Sequence, residues 1–95
     1  MPGPLSDELV ASVRAIARRH GVESVRVFGS RATGRARQDS DLDLLIRLGP
    51  GRGFADLIAF CDEVESAAGV KVDVVTEDGL SRFMRDRVLA EAVPL

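Results

Sequence analysis

The chain of 95 residues contains one cysteine and neither tyrosine nor tryptophan. A single cysteine excludes an internal disulfide and is typical of proteins in a reducing compartment. The sequence also lacks an apolar run of the roughly 18–20 residues that a membrane-spanning helix needs, and no basic segment leads into an apolar one at the N-terminus. These absences predict a cytoplasmic location and no membrane partner.

Features of nucleic-acid-binding proteins are scarce as well. The chain has four phenylalanines, one lysine (Lys71) and a formal net charge of -2. Proteins that bind nucleic acid typically use a positive electrostatic field and aromatic side chains on which bases stack. The composition therefore argues against nucleic acid as the partner.

The length of the chain limits the number of domains. A chain of 95 residues corresponds to about one domain and leaves little room for a separate substrate-binding domain. We expect residues 1–95 to form a single domain with one core and one site.

Periodicity along the sequence predicts alternating helices and strands. Apolar residues at helical spacing, bounded by capping and stop residues, predict three helices, at residues 7–20, 54–68 and 80–92. Alternating and β-branched residues predict three strands, at residues 22–28, 42–48 and 70–75. Residues 30–34 are expected to form one or two helical turns. The pattern predicts an α/β fold in which helices pack on one face of a small mixed β-sheet.

Two short motifs carry the functional signal. Gly29-Ser30 follows the first predicted strand, where glycine permits close approach of a phosphate and free N–H groups and a hydroxyl can donate to it. Asp41-Leu42-Asp43 opens the second strand, so alternation places both carboxylates on the face opposite Leu42. Taken alone, a Gly-Ser pair is usually only a turn and an Asp-x-Asp pair is usually only solvated.

A third acid strengthens the interpretation. Asp73 is the one acid in the third predicted strand, and it points to the face opposite Val70, Val72 and Val74. Pairing of the second and third strands would therefore bring it near Asp41 and Asp43. We expect Asp73 to be functional because an unpaired buried carboxylate is costly. Three convergent carboxylates suit Mg²⁺ or Mn²⁺, and two such ions can stabilise the attacking and leaving oxygens of a displacement at phosphorus.

The other chemically active side chains have less distinctive surroundings. Arg31, next to Ser30, is the best candidate among the loop arginines for a phosphate contact. Arg35 and Arg37 are expected to be solvated loop residues. His20 is expected to interact with helix carbonyls rather than to act in catalysis or metal binding. Cys61 is expected to be an inert core thiol.

With these residues assembled, the chain resembles the minimal nucleotidyltransferase family of the DNA polymerase β-like superfamily. The matching residues are Gly29-Ser30 with Gly34, Asp41-Leu42-Asp43, and Asp73 in the third strand. The resemblance implies a polymerase β palm-like fold. It also implies that Asp41, Asp43 and Asp73 bind Mg²⁺, and that Gly29 and Ser30 bind the outer phosphates of a nucleoside triphosphate. Thr33 departs from the arginine that the family often carries at that position.

The same resemblance implies an activity and a partner. Family members of this size are similar to antitoxins that pair with a HEPN-domain toxin and transfer AMP from ATP to a tyrosine of that toxin. Because this chain has no tyrosine, a tyrosyl acceptor must lie on another molecule. The alternative is a binding module that neutralises the toxin by occlusion without catalysis. Transfer to RNA or to a small molecule is a third, less favoured interpretation.

Overall fold

The structure is a computed structural model that describes residues 5–37 and 40–95. Within these ranges the chain forms three helices and four strands. In chain order they are α1 (Asp7–Arg19), β1 (Val22–Phe28), β2 (Leu42–Leu48), α2 (Phe54–Ala68), β3 (Val72–Thr76), α3 (Arg82–Glu91) and β4 (Val93–Pro94). Part of the predicted polar turn at 35–40 lies outside the described residues, at 38–39. No helix in the described part of the chain is long and apolar enough to cross a bilayer.

The first two helices begin and end where their sequence signals predict. Ser6 caps α1, because its Oγ accepts a hydrogen bond from the N–H of Leu9 at 3.2 Å. Gly69 ends α2 with φ of +73°, a left-handed conformation that glycine adopts without steric cost. Local chemistry therefore sets the ends of the two helices that pack on the sheet.

The four strands form one mixed sheet in the order β3-β2-β1-β4. β2 lies antiparallel to β1 and parallel to β3, and the parallel pair is in register from Leu42 opposite Val72 to Ile46 opposite Thr76. This arrangement places the end of β1 and the beginnings of β2 and β3 at the same edge of the sheet.

The core lies between the sheet and helices α1 and α2. Its fully or almost fully buried members alternate along the strands and recur at helical spacing; they include Val13, Val27, Leu42, Leu44, Ile46, Phe60 and Val64. Because Leu42, Leu44 and Ile46 point to this face, the neighbouring odd-numbered side chains of β2 point to the other. The predicted mixed sheet with helices on one face is confirmed.

Three local predictions were wrong. Residues 30–34 form turns rather than helix, and the third strand begins at Val72 because residues 69–70 form a bend. The last helix begins at Arg82, two residues later than expected, and is followed by β4, which was not predicted. Pro94 was expected only to stop a helix; it lies opposite Arg26 in an edge strand, where a missing N–H is tolerated.

Candidate active site

The turn after β1 lies directly against the first strand acid. Phe28, the last residue of β1, is paired with Asp43 of β2. The next residue, Gly29, has φ of +75°, and a Cβ at this position would overlap Oδ2 of Asp43 and lie 3.3 Å from its Cγ. The residue must therefore be glycine both for its backbone conformation and for the space that the Asp43 carboxylate occupies.

Backbone hydrogen bonds close the turn on itself. The N–H groups of Ala32 and Thr33 both donate to the carbonyl of Gly29 at 3.1 Å, and the N–H of Arg35 donates to that of Ser30 at 2.9 Å. Within residues 5–37 and 40–95, no acceptor is found for the N–H of Ser30. A tight turn whose N–H has no acceptor among the described residues, next to a hydroxyl, is suited to binding an anion.

The two strand acids are brought together as predicted. Asp43 and Asp73 are partners in the parallel register of β2 and β3, so their side chains leave the same face of the sheet side by side. The pKa of Asp43 is raised above its usual value by partial burial, and further by the negative charges of Asp73 and Asp41. Asp41, which precedes β2, is therefore close enough for its charge to be felt at Asp43.

The acidic side chains do not form a ready-made metal site. Among the residues that the structure describes, no three acidic, histidine or cysteine side chains converge closely enough to hold a metal ion as they stand. Asp73 is exposed rather than buried, so the expectation that burial makes it costly was wrong. The reason is geometric: β3 is an edge strand, and its outer face beside Asp73 stays open to solvent.

A fourth acid near the site was not predicted. Glu91, at the C-terminal end of α3, adds to the negative potential that raises the pKa of Asp43. Its side chain is only 20% exposed and accepts a hydrogen bond from Nε of Arg87 at 3.4 Å. No sequence signal identifies this residue, because the position of α3 relative to the sheet depends on tertiary packing.

The two arginines of the turn have different surroundings. Nη2 of Arg31 donates to the carbonyl of Ser40 at 2.6 Å, which ties the turn to the residue just before Asp41. Nε of Arg35 instead donates to Oγ1 of Thr33 at 3.1 Å. Arg31 is half-buried and Arg35 is exposed.

The histidine and the cysteine lie away from the acids. Nε2 of His20 is 2.7 Å from Oε1 of Glu63, so its side chain pairs with a carboxylate of α2 rather than with the helix carbonyls that were expected. Cys61 is half-buried, its thiol donates to the carbonyl of Val72 at 3.3 Å, and burial raises its pKa. A raised pKa disfavours the reactive thiolate, as expected of a structural thiol.

A pronounced concavity of the described surface lies away from the acids. A cavity of about 470 Å³ lies beside α1 and β1, where Arg14, Arg18 and Leu95 contribute to its lining. None of Asp41, Asp43 or Asp73 lines it. Asp41 and Asp73 are exposed, so the acidic site is open to solvent.

The donor chemistry of the site fits a hard divalent cation. Asp41, Asp43 and Asp73 supply only carboxylate oxygens, the ligands that Mg²⁺ and Mn²⁺ prefer. Partial burial raises the pKa of Asp43, and repulsion from the charges of Asp73 and Asp41 raises it further. A cation would relieve that repulsion, and the neighbouring turn would hold an anion next to it.

Comparison with known proteins agrees with this geometry. A protein-family model described as a nucleotidyltransferase domain matches residues 10–95. A protein of Methanocaldococcus jannaschii that carries a protein adenylyltransferase name is 34% identical over 87 residues, which cover 92% of this chain and 94% of the relative. The protein adenylyltransferase MntA of Thermococcus cleftensis is 32% identical over 85 residues, which cover 90% of this chain and 86% of the relative.

Solved structures share the fold. A structure described as a minimal nucleotidyltransferase superposes with a TM-score of 0.79 and 46% identity, over 94% of each chain. A toxin–antitoxin structure with AMP-PNP superposes with a TM-score of 0.75 at 17% identity, over 88% of this chain and 69% of the other. Together with the family match, these similarities show that the chain is a nucleotidyltransferase enzyme and belongs to the minimal nucleotidyltransferase family.

Proposed function

We propose that residues 1–95 act as one nucleotidyltransferase domain that transfers AMP from ATP to a hydroxyl of a partner protein. The acceptor is a tyrosine of a HEPN-domain toxin, and the modification silences that toxin, so that this chain acts as an antitoxin in the cytoplasm. The reaction forms a bond between the acceptor oxygen and the α-phosphorus, breaks the bond from that phosphorus to the bridging oxygen, and releases pyrophosphate.

One observation carries the proposal: Gly29 lies directly against Asp43, whose neighbour across the strands is Asp73. A phosphate held by the turn is therefore next to carboxylates that require a counter-cation. Nucleotide transfer needs an anionic triphosphate and divalent cations at one place, and this juxtaposition supplies both requirements.

Each residue has a role in this scheme. Asp41, Asp43 and Asp73 would hold two Mg²⁺ ions, or Mn²⁺, which supply positive charge to the attacking and leaving oxygens. Ser30 and the turn N–H groups bind the outer phosphates and orient the triphosphate. Asp73, the exposed member of the Asp43–Asp73 pair, faces the incoming hydroxyl and accepts its proton.

The partner is inferred from composition and from the relatives. The chain contains no tyrosine, so tyrosine modification requires a second molecule. Two relatives at 34% and 32% identity carry protein adenylyltransferase names. The fold is also found in a toxin–antitoxin structure with AMP-PNP. These facts support a protein acceptor and ATP as the nucleotide donor.

Transfer of labelled α-phosphate tests the proposal. The chain is incubated with Mg²⁺, ATP labelled at the α-phosphate and its candidate HEPN-domain partner. We expect label on a tyrosine of the partner, loss of labelling in EDTA, and loss in Asp43→Asn. Asp62→Asn, which changes an exposed acid of α2, the helix that packs on the face of the sheet opposite Asp43, is the matched control and keeps full activity. Equal labelling by wild type and Asp43→Asn contradicts the proposal.

One observation favours a second candidate function, neutralisation by binding alone. Helix α3 exposes Phe83 and Met84, which are 87% and 52% accessible. An exposed aromatic next to an exposed methionine is typical of a surface that a partner covers. Suppression of the toxin by Asp43→Asn as fully as by the wild type would favour occlusion over catalysis.

A further inference from the structure

The turn beside the acids carries two arginines whose donor groups are directed differently. Nη2 of Arg31 donates to the carbonyl of Ser40 at 2.6 Å. Its Nε is buried and has no hydrogen-bond partner in the described part of the chain. Much of the Arg31 guanidinium is therefore enclosed by protein rather than presented to a ligand.

Arg35 is held at the opposite side of the same turn. Its N–H donates to the carbonyl of Ser30 at 2.9 Å, and its Nε donates to Oγ1 of Thr33 at 3.1 Å. The Thr33 hydroxyl in turn donates to the carbonyl of Gly29 at 3.1 Å. Two hydrogen bonds thus connect the guanidinium of Arg35 to the glycine that contacts Asp43.

Among the residues that the structure describes, no hydrogen-bond partner is found for the terminal nitrogens of Arg35. The residue is exposed, and within residues 5–37 and 40–95 no carboxylate forms a salt bridge with it. The bond to Thr33 fixes the position of Nε, and the exposed side chain has no other hydrogen bond to the described residues. A guanidinium that is partly ordered in this way loses less entropy when it binds a phosphate in a bidentate manner.

We propose that Arg35 is the arginine that contacts the outer phosphates of the nucleotide, and that Arg31 is a positioning residue. This inference rests on the proposed nucleotide-transfer function. Arg31 holds the phosphate-binding turn against the residue that precedes Asp41, so that turn and acids keep a fixed separation. Arg35 supplies the positive charge. Thr33 anchors Arg35 and thereby takes part in nucleotide binding without contacting the nucleotide.

Binding of nucleotides to the purified chain in Mg²⁺ tests the division of roles. AMP-PNP, ADP and AMP are titrated by calorimetry into wild type, Arg35→Gln, Arg35→Lys and Arg31→Gln. Arg37→Gln is the matched control, because Arg37 is an exposed arginine of the same loop. The melting temperature of each variant is measured without nucleotide, so that a loss of fold is recognised.

We expect substitutions of the two arginines to have different effects on nucleotide affinity and on melting temperature. Arg35→Gln weakens AMP-PNP binding about tenfold or more, because charge-assisted hydrogen bonds to phosphate are lost, with little change in AMP binding or melting temperature. Arg35→Lys regains part of the affinity because its charge remains. Arg31→Gln lowers the melting temperature and weakens the binding of all three nucleotides by similar factors, because it displaces the whole turn. Arg37→Gln resembles the wild type.

Two results overturn the inference, and they can be told apart. If Arg31→Gln loses affinity for AMP-PNP but not for AMP, while Arg35→Gln binds all three nucleotides like the wild type, Arg31 makes the phosphate contact. If the wild type binds no AMP-PNP in Mg²⁺ or Mn²⁺, the nucleotide-transfer function itself fails and this inference fails with it.

Discussion

Gly29 and Asp43 occupy adjoining space so closely that a methyl group on the glycine would overlap the carboxylate of the aspartate. Glycine is required here for two independent reasons, the positive φ of +75° and the presence of Oδ2. The contact joins the turn that we propose to bind phosphate to the first acid of β2. It fixes the distance between the two halves of the proposed active site.

Gly29→Ala tests this contact. We expect a loss of stability of about 1–3 kcal/mol from left-handed strain and from displacement of Asp43, and a loss of nearly all transfer activity. Gly34→Ala is the matched control, because Gly34 has φ of +77° and no other described atom lies within 4 Å of its added Cβ. Urea denaturation measures stability, and labelled ATP measures transfer. Similar activity of the two variants would show that contact with Asp43 is unimportant.

We expect Asp43→Asn to raise the stability of the metal-free protein although it abolishes transfer. Partial burial and the charges of Asp73 and Asp41 raise the pKa of Asp43. A raised folded pKa means that stability falls as pH rises from the ordinary value of 3.8 through the raised one. At neutral pH without metal, the asparagine variant should therefore be more stable, by up to about 1 kcal/mol after allowance for solvent screening.

Addition of Mg²⁺ should reverse that order. A cation that binds only the folded wild type stabilises it by about 2.7 kcal/mol at 100 times Kd, whereas Asp43→Asn should gain little. Melting curves with Mg²⁺ and with EDTA measure both effects. An equal Mg²⁺-dependent shift in the two proteins would place the cation elsewhere.

The Glu63 carboxylate should stabilise the fold in a pH-dependent way. Hydrogen bonds from His20 and Arg19 lower the pKa of Glu63 below its ordinary value of 4.5. A lowered folded pKa gives stability that is present above 4.5 and is lost as pH falls through the folded value. Glu63→Gln should therefore lower the urea midpoint at neutral pH and have no effect in acid, where the wild-type carboxyl is protonated. Asp62→Asn, at an exposed position in the middle of α2 with no salt bridge to the described residues, should leave the midpoint nearly unchanged throughout.

Leu45→Ala tests the second face of the sheet. Leu45 is fully buried, although it points away from the face of Leu44 and Ile46. We expect a loss of about 2–5 kcal/mol, as for a core leucine. Leu48→Ala, at a half-buried position of the same strand, should cost less. A Leu45→Ala protein as stable as the Leu48→Ala protein would mean that the opposite face is loosely packed.

Most of the fold was predictable because its signals are local. Ser6 and Gly69 mark helix ends through hydrogen bonding and backbone conformation, and the apolar residues at every even position of Leu42–Leu48 identify the core face of β2. The pairing of Asp43 with Asp73 was also predictable, because matching parity in two neighbouring strands brings side chains to one face.

The remaining features depend on long-range packing. β4 has only two residues and contains Pro94, so its strand character comes entirely from its pairing with Arg26 and Val27. The burial of Leu45 and the proximity of Glu91 to Asp43 follow from how the chain after β3 folds back. The periodicity of the sequence does not indicate which distant residues these segments contact.

A crystal structure of the chain with Mn²⁺ and AMP-PNP would locate both ligands, because anomalous scattering identifies the metal independently of the protein. We predict Mn²⁺ peaks about 2 Å from carboxylate oxygens of Asp41, Asp43 and Asp73, with the outer phosphates on the turn at Gly29 and Ser30. Metal peaks or phosphates bound away from these residues would contradict this prediction.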